Sequence, residues 1–428
     1  MVKKIIVVFT TLFITIGSFA QKNNTSAYSF FGIGDINSSS TVEQLSMGGI
    51  GVSLDDSFHL NLSNPAANSS LNFTTYALAL ENKNIWADDG LDKQRAATTY
   101  LSYLALGIPL GEKGGLTFGL LPNSSVGYSL TSNVYSSGDE LEEITLYNGE
   151  GGTNKVFLGF GLEVFKGFSI GLQGNYLFGK IDNSVINQIK DVTLATKYQT
   201  IANVNSFSLN TGFQYKKELK NKLNLHLGGN FNLENEIKSE GNEYLYSVSI
   251  GTYETPKDTI LNAQSKGVMK YPIKSSLGVG IGKENKWYAG LDYSFQKALE
   301  LDGDIFSNYS KIKYDNSNKI SLGGYFTPKY NSITSYWERV TYRGGVKFEK
   351  TGLLVDGSGN GSNFTAIDDF GISFGIGLPV SNQLSNLNIG LEFGKRGEIS
   401  NGLVKENYIN FRLSLSLNDK WFRKLEIF

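Results

Sequence analysis

From about residue 72 onward the chain alternates apolar and polar residues in long runs, and this period of two limits the fold more than any other feature. Leu223, Leu225, Leu227, Gly229, Phe231 and Leu233 alternate with Asn224, His226, Gly228, Asn230, Asn232 and Glu234. Trp287, Ala289, Leu291, Tyr293 and Phe295 alternate with Tyr288, Gly290, Asp292, Ser294 and Gln296. Ile409, Phe411, Leu413, Leu415 and Leu417 alternate with Asn410, Arg412, Ser414 and Ser416. A strand turns successive side chains to opposite faces, so each run has one apolar and one polar face. Many runs reach about 10–15 residues, whereas soluble strands average about 5–6. A tilted strand crosses the hydrocarbon of a bilayer in roughly 9–11 residues. The polar faces are rich in Gly, Asn, Ser and Gln, as a wet or filled barrel lumen requires.

These runs predict an all-β fold, a transmembrane antiparallel β-barrel of about 14 strands. The strands fall near 72–82, 97–108, 114–130, 153–165, 167–181, 198–216, 222–237, 268–282, 286–297, 317–327, 338–350, 368–379, 386–396 and 405–418. Closure is expected because lipid cannot satisfy the amides of a sheet edge. Short links, such as Lys166-Gly167 and Glu284-Asn285, predict periplasmic turns. Longer polar stretches at 131–152, 182–197, 238–266, 298–316 and 351–367 predict extracellular loops. Trp287, Tyr176, Tyr215, Tyr342 and Tyr408 are candidates for interfacial aromatic girdles.

The mean hydropathy is slightly negative, which agrees with a barrel because only alternate strand residues face lipid. The formal net charge of −1, about −3 without Lys3 and Lys4, argues against nucleic acid as a partner. The chain has no cysteine, which excludes disulfides, thiolate metal sites and a Cys nucleophile.

Residues 1–20 read as a cleaved signal peptide. Lys3 and Lys4 precede an apolar stretch from Ile5 to Ile16, and Gly17-Ser18-Phe19-Ala20 places small residues before a cut at Gln21. Residues 21–71 do not alternate. They carry Phe30-Phe31-Gly32-Ile33-Gly34-Asp35, then Met47-Gly48-Gly49-Ile50-Gly51, then Asn64-Pro65-Ala66-Ala67. Glycine pairs allow close backbone approach and Asn-Pro favours a turn. The segment is expected to pack inside the lumen as a plug, with residues 72–428 forming the barrel.

Met47-Gly48-Gly49 followed by Asn64-Pro65-Ala66 resembles the hatch of the long-chain fatty-acid transporter (FadL-like) family. The third run, Thr117 to Tyr128 with Pro122-Asn123, is similar to that family's interrupted third strand. The resemblance implies a fourteen-stranded outer-membrane barrel with an N-terminal hatch and a kink that opens the wall sideways. Independently, Pro122 lacks an N–H and is disfavoured in a central strand except at a bulge or break. No residues match the family's fatty-acid pocket.

Two functions follow as expectations. In the first, the chain passes a hydrophobic small molecule passively across the bacterial outer membrane, with lateral exit near Pro122. In the second, it is a non-transporting barrel subunit of a secretion or assembly complex, with a protein partner. Outer-membrane lipid is a partner in both. Catalysis is not expected: His59 and His226 are the only histidines, and no nucleophile elbow, nucleotide loop or zinc spacing is present. No cofactor and no metal are expected, although Asp356-Gly357-Ser358-Gly359-Asn360-Gly361 resembles a calcium loop. On the polar faces Asp292, Arg343, Lys347, Glu349, Glu392 and Arg412 should point inward and pair with one another or with the plug, because an unpaired charge in a narrow lumen is costly, while His226, with Asn224 and Asn230 nearby, should bond to polar neighbours in the lumen.

Overall fold

The computed structural model describes residues 26–419, except 252–253, 304, 306–311, 359–360 and 381–384. The signal-peptide reading and the tail residues Trp421, Phe422 and Phe428 lie outside the described residues. Fourteen antiparallel strands form one sheet that closes on itself. They are β1 (Thr74–Asp88), β2 (Lys93–Leu110), β3 (Gly114–Tyr135), β4 (Leu141–Phe165), β5 (Phe168–Ile189) and β6 (Ala195–Glu218). Next come β7 (Asn224–Asn232 and Asn235–Ile250), β8 (Glu254–Tyr271 and Lys274–Lys283), β9 (Trp287–Gln296 and Glu300–Gly303) and β10 (Ile312–Tyr314 and Ser317–Phe326). The last four are β11 (Thr341–Val355), β12 (Thr365–Val380), β13 (Ser385–Arg396) and β14 (Lys405–Asp419). Closure is the β14–β1 ladder, which runs unbroken from Lys405↔Asp88 to Asp419↔Thr74.

The period of two becomes the two faces of the wall. On β4, Leu158, Phe160 and Leu162 are exposed on the outside, while Phe157 is buried on the inside. On β9, Leu291 and Tyr293 lie outside and Asp292 is buried. The outer apolar band is the surface a bilayer would cover, and the inner face is polar.

Two sequence expectations are corrected. Stretches 131–152, 182–197 and 238–266 are not loops. The strands continue through them, so that β3 and β4 pair up to Tyr135↔Leu141 with 22 and 25 residues each. Beyond the lipid both faces of a strand meet water, so nothing enforces the alternation by which a strand is recognised. Tyr408 is not a girdle residue: it is buried on the inner face and donates to Asp369 Oδ1 at 2.6 Å and Glu392 Oε1 at 3.2 Å. Asp356 accepts from Ser358 N and Oγ in its own turn at 3.0 and 2.6 Å, which uses its carboxylate locally.

Residues 26–71 run along inward positions of most strands. They contain a two-residue strand (Asp35–Ile36), a one-turn helix α1 (Val42–Leu45) and a 3-10 helix (Pro65–Ser70). Thr41 closes α1 with a reciprocal cap: its side chain accepts from Gln44 N, and Gln44 Oε1 accepts from Thr41 N.

Candidate functional site

Among the described residues the wall has a weak seam between β2 and β3. The β2–β3 ladder extends only from Leu104↔Leu120 to Leu110↔Gly114. Both strands go on, β2 back to Lys93 and β3 forward to Tyr135, without pairing to each other. The break begins two residues before Pro122. On its other edge β3 stays paired with β4, with a register shift where Asn123 is the extra residue between Pro122↔Asn154 and Ser124↔Thr153, and a second between Val134 and Tyr135. A missing donor and an extra residue together bend a strand and end its pairing. Asn123 Nδ2 donates to Thr153 Oγ1 at 3.1 Å, and Ser124 Oγ lies 2.8 Å from the same oxygen. Below the bulge Thr117, Gly119 and Leu121 face inward; above it Ser124, Val126 and Tyr128 do, since one inserted residue exchanges the faces.

The edge of β3 left open by β2 is capped from within. Asp35 and Ile36 pair with Ser125 and Ser124, and Asn37 N donates to Asn123 O at 2.9 Å. Asp35 is the anchor. Its carboxylate lies 2.7 Å from Lys83 Nζ on β1 and 2.6 Å from Arg396 Nη1 on β13. Burial alone would raise its pKa, but Arg396 and then Lys83 outweigh that and hold the carboxyl well below the usual range. Gly34 precedes it at φ +94°, a conformation that favours glycine, and a Cβ there would meet Ser125 O at 2.5 Å. Ile36 is 53 % exposed.

Met47, Gly48, Pro65 and Ala66 sit where glycines on the wall make room. Met47 and Gly48 lie against Gly323 and Gly345 of β10 and β11, where a Cβ would overlap the Met47 carbonyl. Pro65 and Ala66 lie against Gly161 and Gly171 in the same way. Asn64 is fully buried and caps the 3-10 helix, accepting from Ala66 N at 3.0 Å. Its amide donates to Val52 O at 2.7 Å and to two wall carbonyls, Phe213 O at 3.0 Å and Gly229 O at 3.2 Å. Gly49 faces the Lys319 ammonium at 3.6 Å from where its Cβ would be.

The inward charges fall into separate groups. Glu392 binds Lys347 at 2.8 Å and Arg412 at 2.6 Å, and Arg412 also binds Glu81 at 3.0 Å. Lys347 is 3.5 Å from Asp369. Glu349 lies 3.7 Å from Lys319. Asp292 serves the N-terminal segment, accepting from Gly51 N at 2.8 Å and Val52 N at 2.9 Å. Arg343 Nη1 donates to Asn388 Oδ1 at 3.0 Å, and Asn388 donates to Glu43 of α1 at 2.6 Å. His226 does not bond to Asn224 or Asn230; its Nδ1 is 3.6 Å from Asp55, beyond hydrogen-bond length, and its ring meets Tyr288 edge-on. His59 Nδ1 pairs with Asp56 at 2.8 Å.

Two inner surfaces flank the seam. One is a chamber of about 510 Å³ lined mainly by polar side chains, including Lys83, Lys155, Asn230, Lys274 and Glu349, and touching Ile33, Leu177, Ile237 and Met269 on one side. The other is apolar: Tyr128, Leu177, Ile181, Val204 and Ile237 form a cluster on the tall strands. It is covered by the chain itself, through Ile33 and through Phe30, whose ring packs edge-on to Tyr128 at 5.0 Å.

The sequence reading missed Asp35, Lys83, Arg396 and Glu43. Lys83 and Arg396 stand near strand ends, where alternation gives no direction. Asp35 lies 361 residues from Arg396, so no local signal joins them.

A family model described as BamG matches residues 1–427. No curated protein matches the chain. Among solved structures, the "CymD monoaromatic hydrocarbon channel" is 13% identical with a TM-score of 0.58, covering 92% of this chain and 100% of that one. A Pseudomonas aeruginosa FadL homologue is 12% identical with a TM-score of 0.59, covering 89% and 98%. The P. putida toluene transporter TodX is 14% identical with a TM-score of 0.60, covering 89% and 99%. At such identity these likenesses establish the fold that this chain shares with the FadL family.

Proposed function

The chain belongs to the BamG family, and we propose that it is an outer-membrane conduit that lets a hydrophobic small molecule leave sideways through the β2–β3 seam. The observation that carries this reading is the ladder that stops at Leu104↔Leu120 just before Pro122. A closed barrel gains nothing from an unpaired edge at membrane depth, because each exposed amide is costly there. Hydrocarbon and toluene channels share the fold, which supports the same class of cargo.

In this reading residues 26–71 act as the plug, and Asp35–Asn37 act as the gate on the β3 edge. Cargo reaches the apolar cluster around Tyr128 and Ile181 from the tall-strand side. It exchanges with Phe30 and Ile33 and exits as Asp35–Asn37 leave β3. The step is passive and needs no catalytic group or cofactor.

A cross-link tests it. Ile36 and Ser124 are cross-strand partners, and antiparallel partners sit about 4.5–5.5 Å apart at Cα. That is disulfide range, and the chain has no native cysteine to interfere. Ile36→Cys with Ser124→Cys, oxidised in liposomes, should stop entry of toluene, and reduction should restore it. Equal entry in both states, or no entry by the wild type, overturns the conduit reading.

A further inference from the structure

One link stands out at the end of the barrel where Thr74 and Asp419 meet. The links 111–113, 166–167, 219–223 and 284–286 at that end are short, as periplasmic turns of an outer-membrane barrel are. The link 327–340 between β10 and β11 is longer and ends in a 3-10 helix, Trp337–Arg339. Its backbone is tied across by Lys329 N, which donates to Glu338 O at 2.7 Å. One side of it meets the N-terminal segment: the Tyr330 ring lies 6.1 Å from Phe58, and Ser332 is buried. The other side has no cover among the described residues. Ile333 is 100 % exposed, Trp337 is 65 % exposed, and Tyr336 is exposed beside them. Large apolar and aromatic side chains clustered in the open mark an interaction surface.

What lies beside this patch selects its partner. The Tyr342 hydroxyl donates to the Trp337 carbonyl at 3.4 Å. Tyr342 is exposed on the outer face of β11, next to the buried, inward Arg343, and its cross-strand partner Phe326 of β10 is exposed on the same face. The Trp337 backbone is therefore fastened to the foot of the outer apolar band, and the patch continues that band past the ends of the strands. The Tyr336 ring stands edge-on to Trp337 at 5.9 Å, with the Arg339 guanidinium 5.3 Å from its centre, and its hydroxyl donates to Pro379 O at 3.3 Å. Tyr and Trp, with an apolar ring and a polar tip, are the side chains that the headgroup zone of a bilayer favours.

We propose that the β10–β11 link is an interfacial anchor: Ile333, Tyr336 and Trp337 enter the headgroup zone of the phospholipid leaflet at this end of the barrel. Continuity with the lipid-facing band decides for lipid over a protein as the occupant. The inference goes beyond passage of a hydrophobic molecule and stands apart from it, because the link joins β10 to β11 and the seam lies between β2 and β3.

Trp337 can report on its own surroundings, because the chain has only 4 tryptophans. Trp86→Phe, Trp287→Phe and Trp421→Phe together leave Trp337 alone in the full chain, reconstituted in phosphatidylcholine liposomes, with heat-modifiable gel migration to confirm the barrel. Phosphatidylcholine brominated near the headgroup should quench most of the Trp337 fluorescence. Lipid brominated near the chain ends should quench less, and aqueous iodide should quench little. Strong quenching by iodide with no effect of either brominated lipid would put the link in water, open to a protein partner, and would overturn the proposal. Should the triple variant fail to fold, Ile333→Cys in the otherwise cysteine-free wild type carries a polarity-sensitive fluorophore for the same comparison. Its emission should be quenched by lipid bearing a nitroxide near the headgroup; a water-like emission that this lipid leaves unquenched overturns the anchor equally.

Discussion

Arg396 Nη1 lies 2.6 Å from Asp35 Oδ1, tying a two-residue strand in the N-terminal segment to the penultimate strand of the barrel. With Lys83 on the other carboxylate oxygen, the same side chain joins β13, β1 and the capped edge of β3. Three distant parts of the chain meet at one carboxylate, at the seam of the wall.

Asp35→Ala should release this anchor. Removing one partner of a covered ion pair leaves the others unpaired and costs about 3–5 kcal/mol. The expected outcome is faster entry of a hydrophobic dye into liposomes, with barrel stability kept. Dye entry together with heat-modifiable gel migration checks it; unchanged entry in a folded variant would count against Asp35 as the latch.

Asn64→Ala should loosen the segment at its other end. The variant loses a helix cap, worth about 0.5–2 kcal/mol, and leaves Phe213 O and Gly229 O without their donor. Limited proteolysis should cut within 26–71 sooner than in the wild type, while the barrel core stays resistant. Equal cutting rates would show that the amide does not hold the segment.

Gly171→Val probes the wall side of the same contact. A Cβ at this position would overlap Pro65 and the Ala66 nitrogen, so the side chain and the 3-10 helix cannot coexist. The barrel should still form, because Gly171 pairs through backbone with Gly161 and Gly212. Proteolysis should again find residues 26–71 freed, and a still-protected segment would refute the close approach.

Docking should depend on pH through His59 and Asp56. Burial opposes the charged ring of His59, but the Asp56 carboxylate outweighs it and holds the His59 pKa above its ordinary value of about 6.5. A raised pKa means the stabilisation is full below about 6.5 and fades as pH rises through the raised value. Burial likewise opposes the Asp56 carboxylate, and His59 outweighs it to hold the pKa low. Its stabilisation is present above about 3.9 and fades as pH falls through the lowered value. Amide exchange of residues 55–62 should therefore speed up on the alkaline side. His59→Asn should flatten that rise; an unaltered profile would remove the pair from the account.

The strand count was legible because lipid outside and water inside force alternation on every crossing segment, as in Leu291, Asp292 and Tyr293. Alternation also gave the inward direction of Asp292, Glu392 and Arg412, which the structure places on the inner face. Where both faces meet water, at 131–152 and 238–266, the same reasoning stopped and strands read as loops. The pairing of His226 was not legible either, since its neighbours on β7 are asparagines and its actual neighbours, Asp55 and Tyr288, come from other elements.

The sequence by itself determined the class of fold and the approximate number of crossings, and it marked Pro122 as a place for a bulge or a break, because each is a local property: a side-chain period or a missing N–H. Only the tertiary structure decided what meets that break. The β2 ladder ends there, Asp35–Asn37 caps the free edge, and Lys83 with Arg396 fixes the cap. Those relationships depend on barrel closure, which brings together residues hundreds of positions apart, and no local pattern encodes that proximity.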